Sequence, residues 1–335
     1  MRRKRFIPAV IFVMAPVLAV LLVILSVMYG AKSITAGTVW DAVFHFDPGS
    51  VDHQIIRSSR LPRVVGAMLI GAFLAVSGAL MQGMTRNYLA SPSIMGVSDG
   101  SVFAVTTAVA LFPGTHSVSL IAVSMIGSAI GTALVFGIAS LIPQGLSPVK
   151  LAILGTVIGT FLSGTSAAIA AYFQMSQSIS FWYNARLHQM DPELLKLSLP
   201  FAAVGLGLAF YLSKSVTVLS LGDDISSGLG QRTAVVKALV MLAVVILTGV
   251  SVALAGKIAF IGLIIPHIAR MAAGVDYRII IPLSAVMGGL FLALCDLLAR
   301  FINSPFETPV GVVTAMFGVP FFLYLIKTRG GGKHG

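Results

Sequence analysis

The chain has 335 residues, of which 57% are apolar and only 10% carry a charge. A soluble domain carries about a quarter charged residues, so this chain cannot bury its apolar surface within one globule, and lipid must cover most of it. The net charge of +11 does not require nucleic acid, since basic residues flank membrane spans on the cytoplasmic side. Because the apolar segments are continuous rather than alternating, they favour helices over a β-barrel and predict an all-α polytopic membrane protein.

Ten stretches are apolar enough to be membrane spans, on the rule that a helix needs about 20 apolar residues to cross the hydrocarbon core. The third and the eighth are short and follow chain that contains glycine or proline, which predicts broken or half-buried helices there. The N-terminal MRRKR leads directly into the first span with no convincing cleavage site, so we expect one transmembrane domain over residues 1–335. The predicted spans are 8–30, 63–84, 97–113, 118–142, 149–174, 196–214, 234–255, 259–274, 278–300 and 309–327.

Basic residues indicate how these spans are oriented. With the N-terminus inside, most of the 22 lysines and arginines fall in the inner segments, which predicts that both termini are cytoplasmic. A weak internal repeat also appears, because VSGAL at 76–80 resembles VSVAL at 250–254. The two copies lie on spans of opposite direction, as in an inverted-topology transporter repeat, although chance similarity between apolar helices is the rival interpretation.

A polar loop at 214–233 interrupts the apolar pattern near the middle of the chain. It contains the adjacent acids Asp223 and Asp224 and the glycines Gly222, Gly228 and Gly230. The predicted topology places it on the cytoplasmic face, where we expect a short helix that another protein pushes on. The chain lacks a phosphate-binding loop, since Gly256–Lys257 has neither the preceding glycine nor the following Ser/Thr of that motif, so we expect nucleotide hydrolysis to occur on another subunit.

Three carboxylates fall within or at the ends of spans. Asp296 lies one helical turn before Arg300, and we expect these two side chains to neutralise each other. Asp99 lies at the start of the third span, where an acid suits the positive end of a helix, and Glu307 lies in an outer loop between two prolines. We expect no buried chain of carboxylates, so a proton-driven carrier stays a weaker alternative, and a membrane-embedded enzyme a weaker one still.

Arginines also gather at the predicted outer face. Arg60 and Arg63 flank Leu61–Pro62, and Arg300 falls at the same membrane face. Three fixed cations on one rim would attract a carboxylate-bearing partner or an anionic ligand, although ordinary interfacial anchors are the alternative. In the fifth span small residues recur over most of the length (GTVIGTFLSGTSAAIAA), which is typical of close helix packing and is also compatible with a wide passage wall.

Four long motifs resemble the permease subunits of iron-siderophore and vitamin B12 ABC importers, the FecCD family of type II importers. The motifs are RLPRVVGAMLIGAFLAVSGALMQGMTRNYLASPSIMGVSDGS, LGDDISSGLGQ, GKIAFIGLIIPHIAR and ETPVGVVTAMFGVPFFLYL. The resemblance covers nearly the whole chain. It implies the vitamin B12 permease fold with ten spans, and a transport subunit that is not itself an enzyme.

The resemblance also implies partners and a cargo. It implies a second, homologous permease subunit, two copies of a cytoplasmic ATPase and an external substrate-binding lipoprotein. ATP and Mg²⁺ would be bound by the ATPase, and no cofactor, metal or catalytic residue is expected on this chain. The cargo would be a ferric siderophore of the catecholate type, with heme or a corrinoid as alternatives. It would cross at the interface between the permease subunits, with a gate near the turn at 143–148.

Two sets of site residues follow from the same resemblance. The loop between spans six and seven would dock on the ATPase, and three arginines would meet glutamates of the binding protein. The ATPase-coupling residues are Leu221, Gly222, Asp223, Asp224, Leu229, Gly230 and Gln231, and the docking residues are Arg60, Arg63 and Arg300.

Overall fold

The computed structural model describes residues 2–30, 32–93, 96–112, 114, 117–142, 148–177, 179, 187, 190–303 and 306–329. Within these residues the regular structure is helical. The predicted gate falls largely on 143–147, outside the described part of the chain. The helices are α1 Arg2–Met28, α2 Ala36–Phe44, α3 Val51–Ile55, α4 Leu61–Thr85, α5 Val97–Leu111, α6 Ser117–Leu141, α7 Pro148–Tyr172, α8 Pro192–Tyr211, α9 Ser213–Leu219, α10 Asp223–Gly228, α11 Thr233–Ala255, α12 Ile261–Ala273, α13 Tyr277–Ile302 and α14 Val310–Arg329, with a π-helical turn at Ile56–Arg60.

Seven of the described helices are long and apolar enough to cross a membrane, namely α1, α4 with the turn before it, α6, α7, α8, α11 and α13. The other three predicted spans correspond to the shorter apolar stretches Val97–Leu111, Ile261–Ala273 and Val310–Leu325. The third and eighth predicted spans are therefore short, as the sequence indicates. Their helices, α5 and α12, have 15 and 13 residues.

Helix α4 forms the centre of the bundle, and nearly all of its side chains are buried. Glycines let its neighbours approach closely. A side chain at Gly71 would collide with the backbone of Gly288 in α13, and one at Gly78 would collide with Gly262 in α12. Membrane helices associate largely through such close contacts, because lipid removes the hydrophobic drive that operates in water.

The packing partners support the repeat predicted from VSGAL and VSVAL, which lie in α4 and α11. Helix α4 packs on α13, while its counterpart α11 packs on α6. In the same way α5 packs on α6, and α12 packs on α13. A structural repeat produces this exchange of partners between the segments α4–α7 and α11–α14.

The two short helices begin inside the bundle. At 15 and 13 residues they are about 22 Å and 20 Å long, less than the hydrocarbon thickness of about 30 Å. Each follows a residue in the left-handed conformation, Gly96 with φ 73° before α5 and Phe260 with φ 70° before α12. The chain therefore turns sharply at these two points and presents the helix N-termini to the bundle interior.

Candidate functional site

The polar loop folds into two short helices, α9 and α10, that connect α8 to α11. Gly222 has φ 129° and Gly230 has φ 80°, so both lie in a region of backbone space that favours glycine. These glycines form the turns at either end of α10. Gly228 is different, since it lies within α10 and does not have a positive φ.

An exposed apolar surface runs along this loop. Leu221, Ile225 and Leu229 are 53%, 52% and 68% exposed; Leu221 precedes the turn at Gly222, Ile225 lies within α10 and Leu229 caps its C-terminal end. We call these three residues the coupling stripe. Ile225 is absent from the residues that the motif resemblance supplied, although the spacing LxxxIxxxL is visible in the sequence. Such a stripe in a polar loop is typical of a surface that a partner covers.

The polar side chains of the loop hold its shape. Lys237 Nζ donates to Asp223 Oδ2 at 2.7 Å, which ties α10 to α11. Ser226 donates to the side-chain oxygen of Gln231, and Gln231 Nε2 donates to the Ser215 carbonyl at 3.1 Å. Asp223 and Gln231 therefore stabilise the loop internally, whereas the neighbouring Asp224 is exposed.

A chain of hydrogen bonds connects this loop to the core helices. The backbone N–H of Tyr277, at the start of α13, donates to Thr217 Oγ1 of α9 at 3.0 Å. Arg270 Nη2 of α12 donates to the Tyr277 hydroxyl at 2.8 Å and to Gln82 Oε1 of α4 at 3.2 Å. A displacement of α9 would therefore reach α13, α12 and α4 directly. The sequence gives no signal for this linkage, because its members are distant in the chain.

The three predicted docking arginines lie together at the opposite end of α4, and each is only 8% exposed. Arg60 donates to the backbone carbonyls of Met28, at 3.1 Å, and Lys32. Arg300 donates to Asp296 Oδ2 at 2.6 Å and to the Ser26 hydroxyl at 2.9 Å. The expected Asp296–Arg300 pair is thus confirmed.

Arg63 joins two carboxylates. Its Nη2 donates to Asp296 Oδ1 at 2.8 Å, and its Nη1 donates to Glu307 Oε1 at 2.8 Å. The fork of Arg63 thus links Glu307 to Asp296, and Asp296 continues the network to Arg300, so these carboxylates are joined through arginines and do not form a buried carboxylate chain. Glu307 keeps 37% of its side chain exposed, at the rim of this cluster.

Charge at this end exceeds what the carboxylates balance. The three guanidinium groups lie close enough to repel one another. A fourth arginine, Arg57, is exposed and lies 4.5 Å from the centre of the Phe46 ring. We call Arg57, Arg60, Arg63 and Arg300 the arginine cluster. The Arg57 side chain is exposed, whereas the other three guanidinium groups are held by contacts within the chain.

Asp99 also has a partner that the sequence does not reveal. Lys257 Nζ donates to Asp99 Oδ1 at 2.5 Å, and Ser163 Oγ donates to the same oxygen at 3.0 Å. The predicted topology puts Asp99 near the inner end of one span and Lys257 near the outer end of another, so this contact requires correction of both placements. The short helix α5 explains the contact. It begins inside the bundle, at the same depth as the C-terminal end of α11, so Asp99 and Lys257 lie level with each other.

Comparisons with known proteins agree with this architecture. The sequence profile of the FecCD transport family matches residues 18–328. FeuB of Bacillus subtilis (strain 168), an iron-uptake system permease protein, is 58% identical over 326 residues, which are 97% of this chain and 98% of FeuB. FepD of Escherichia coli (strain K12), a ferric enterobactin transport system permease protein, is 35% identical over 94% of this chain and 96% of FepD.

A solved structure supports the same assignment. It shows an inward-facing conformation of an ABC transporter of metal-chelate type, with a TM-score of 0.82 and 28% identity, and it covers 96% of this chain and 99% of that one. The family inferred from the four motifs is confirmed. The chain belongs to the FecCD transport family of ABC transporter permease subunits, multi-pass proteins of the bacterial cytoplasmic membrane.

Proposed function

We propose that this chain is the transmembrane permease subunit of an ABC importer that moves a ferric siderophore, of the catecholate type, across the cytoplasmic membrane. ATP hydrolysis on a separate subunit drives the movement. The relatives named for iron uptake and ferric enterobactin support an iron chelate as cargo. The catecholate type is the narrower part of the proposal, and heme or a corrinoid is the alternative cargo.

The coupling stripe is the observation that carries the proposal. Three large apolar side chains are exposed in and beside α10, which two glycine turns bracket, and hydrogen bonds connect the preceding helix α9 to α13, α12 and α4. An apolar contact anchors a partner, and the hydrogen-bonded chain transmits its movement. Leu221, Gly222, Asp223, Asp224, Leu229, Gly230 and Gln231, together with Ile225, form the ATPase-coupling surface in this proposal.

The proposed assembly has two permease subunits, two ATPases and a substrate-binding lipoprotein. The chain crosses the membrane ten times in this proposal, although the helices α5 and α12 alone are shorter than the hydrocarbon core, and both termini and the loop at 214–233 are cytoplasmic. ATP and Mg²⁺ bind to the ATPase, while this single transmembrane domain of residues 1–335 binds no cofactor of its own. Helix α7 lines the passage between the permeases, because one of its faces is exposed and carries the small residues Thr156, Thr160 and Gly164 beside the apolar side chains of Val157 and Phe161.

The binding lipoprotein docks at the arginine cluster in this proposal. Arg60, Arg63 and Arg300 supply a positive field, while Arg57 is the exposed cation that a carboxylate reaches first. A glutamate of the lipoprotein then replaces the half-exposed Glu307 on Arg63. Glu307→Gln should therefore tighten lipoprotein binding, because it weakens the internal competitor, and weaker binding by this variant would contradict the exchange.

Energy coupling gives the direct test. The chain is reconstituted with its second permease, ATPase and lipoprotein in vesicles, and uptake of a radiolabelled ferric tris-catecholate is measured. We expect uptake to require ATP and to resist a protonophore. Uptake that persists without ATP and collapses with the protonophore would contradict the proposal and favour a proton-coupled carrier. The structure supplies an argument against that carrier, since Asp99, Asp296 and Glu307 are each held by a lysine or arginine.

A further inference from the structure

The Asp99–Lys257 pair lies deep in the membrane domain. Ser163, which shares Asp99 Oδ1 with Lys257, is about 14 Å along α7 from Tyr172 and about 22 Å from Pro148. The pair is therefore near the middle of the bilayer. Ionisable side chains are costly at this depth and usually mark a pathway, so a lysine there needs a reason beyond packing.

Two helix ends stabilise the two charges. Asp99 lies in the first turn of α5, where the unpaired N–H groups make the helix end positive. Lys257 lies just past the C-terminal end of α11, where the unpaired carbonyls make the end negative. Discontinuous helices of transporters create charged sites at the membrane midplane in this way. The charges are thus built into the backbone arrangement of the bundle.

The two partners differ in access. The Asp99 side chain is 6% exposed, whereas the Lys257 side chain is 38% exposed. Helix α7 covers the carboxylate at Gly159, where a Cβ would lie 2.6 Å from Asp99 Oδ2. The anion is therefore enclosed and the cation is open.

The open side of Lys257 adjoins the exposed face of α7. Ser163 contacts the same carboxylate oxygen as the lysine, and its neighbour Gly164 is exposed, with nothing within 4 Å of a Cβ placed there. Thr160, one turn before Gly164, is exposed as well. The ammonium group thus lies beside the exposed face of α7 that the proposed function assigns to the passage, where small and hydroxyl-bearing residues stand next to Phe161.

We propose that Lys257 is a midplane binding group for an anionic iron chelate, with Asp99 as its internal counter-ion. The inference rests on the proposed function and narrows its substrate class to chelates with net negative charge. The flexible lysine donates hydrogen bonds to anionic oxygens of the passing chelate while Asp99 stays enclosed. Asp99 then recaptures the ammonium group, which releases the chelate and keeps the passage from retaining it.

A neutral double variant tests this role. Asp99→Asn with Lys257→Met removes both charges, so neither is left buried alone. The matched control is Asp52→Asn with Lys32→Met, which removes another Lys–Asp pair of 2.5 Å from an exposed position. Each variant is assembled with the second permease, ATPase and lipoprotein in vesicles. Uptake of radiolabelled ferric tris-catecholate and ATP hydrolysis are measured on the same sample.

We expect the Asp99→Asn/Lys257→Met importer to hydrolyse ATP normally while uptake per ATP falls about ten-fold or more, the effect of losing a charge-assisted hydrogen bond. The control should match wild type at saturating lipoprotein, because its pair lies beside Arg60 of the docking site and not in the passage. Unchanged uptake per ATP in the double variant would overturn the inference. So would a defect in Lys257→Met alone that Asp99→Asn restores, since that result assigns the pair a purely structural role.

If the double variant inserts poorly into the membrane, two single substitutions at Lys257 provide a second comparison. Lys257→Arg keeps the charge and Lys257→Gln removes it, so the arginine variant should retain most of the uptake per ATP and the glutamine variant should lose it. Equal uptake by the two would overturn the inference. If wild type itself imports no ferric chelate, the proposed function fails, and this result is distinct from a failure confined to Lys257.

Discussion

The two ends of α4 invert the usual distribution of polar and apolar side chains. At one end, Arg63 and Arg300 form a buried or half-buried network of ion pairs with two carboxylates, and the buried Arg60 lies beside them. At the other end, three large apolar side chains of the coupling stripe are exposed. About 37 Å of helix separates the two.

The difference shows which end still lacks a partner. Ion pairs and hydrogen bonds within the chain hold three guanidinium groups of the arginine cluster in place, while the fourth, that of Arg57, is exposed. The apolar side chains of the coupling stripe are exposed instead, and burial against another surface is what stabilises such side chains. In the proposed importer, the coupling end therefore binds the obligate partner and the arginine end the transient one.

The largest expected effect comes from breaking the arginine network. Asp296→Leu leaves Arg63 and Arg300 buried without their shared counter-charge, and removal of one partner from a buried pair costs about 3–5 kcal/mol. We expect a much lower thermal unfolding temperature in detergent and little protein in the membrane. Asp52→Asn, at an exposed pair, is the control and should stay close to wild type. Equal unfolding temperatures for both variants would show that the network is not structural.

A charge within the coupling stripe should come next. Ile225→Asp puts a carboxylate where the proposed interface is apolar, and a central interface residue contributes about 2 kcal/mol or more, which is about a 30-fold loss of affinity. The amount of ATPase that copurifies measures the effect. Ser227→Asp adds the same charge to an exposed position off the stripe and should retain the ATPase. Equal losses in the two variants would remove the stripe from the interface.

The glycine turns should show a smaller effect. Gly222→Ala forces a side chain into a backbone conformation with φ 129°, at a cost of about 1–3 kcal/mol. We expect a local change in α10, read as faster hydrogen exchange there and a lower ratio of uptake to ATP hydrolysis. Gly228→Ala, inside the helix and with open space around it, should be neutral or slightly stabilising. The reverse order would contradict the role of Gly222.

The smallest effect should follow from Asp223→Asn. Its ion pair with Lys237 is half exposed on both sides, and such pairs contribute about 0–1 kcal/mol. Uptake should change by less than about two-fold, and added salt should reduce the difference further. A loss as large as that of Ile225→Asp would mean that Asp223 contacts the ATPase directly rather than holding α10 to α11.

Local patterns predict most of the fold. Apolar length locates the membrane helices, and the glycines and prolines before the third and eighth spans predict that α5 and α12 are short. These features are predictable because they depend on neighbouring residues. The spacing of Leu221, Ile225 and Leu229 is equally local, so the coupling stripe is readable from the sequence once the loop is known to be helical.

The charge pairings are not readable in this way. Arg63 and Glu307 are separated by 244 residues, and Lys257 and Asp99 by 158. A prediction from hydropathy assumes that every span crosses the whole membrane, so it places each of these four residues near a membrane surface. That assumption fails for the short helices α5 and α12. The packed structure shows that Lys257 and Asp99 lie at the same depth.

A single engineered thiol tests the central claim, that the coupling stripe contacts the ATPase. The chain has one cysteine, Cys295, which is buried, so Leu229→Cys introduces a reactive thiol at an exposed position. In the assembled importer, a short thiol-directed cross-linker should join Leu229→Cys to the ATPase, and Arg57→Cys at the opposite end should not be joined to it. Absence of that product from an importer that still takes up iron, or ATPase cross-linked through Arg57→Cys, would contradict the account.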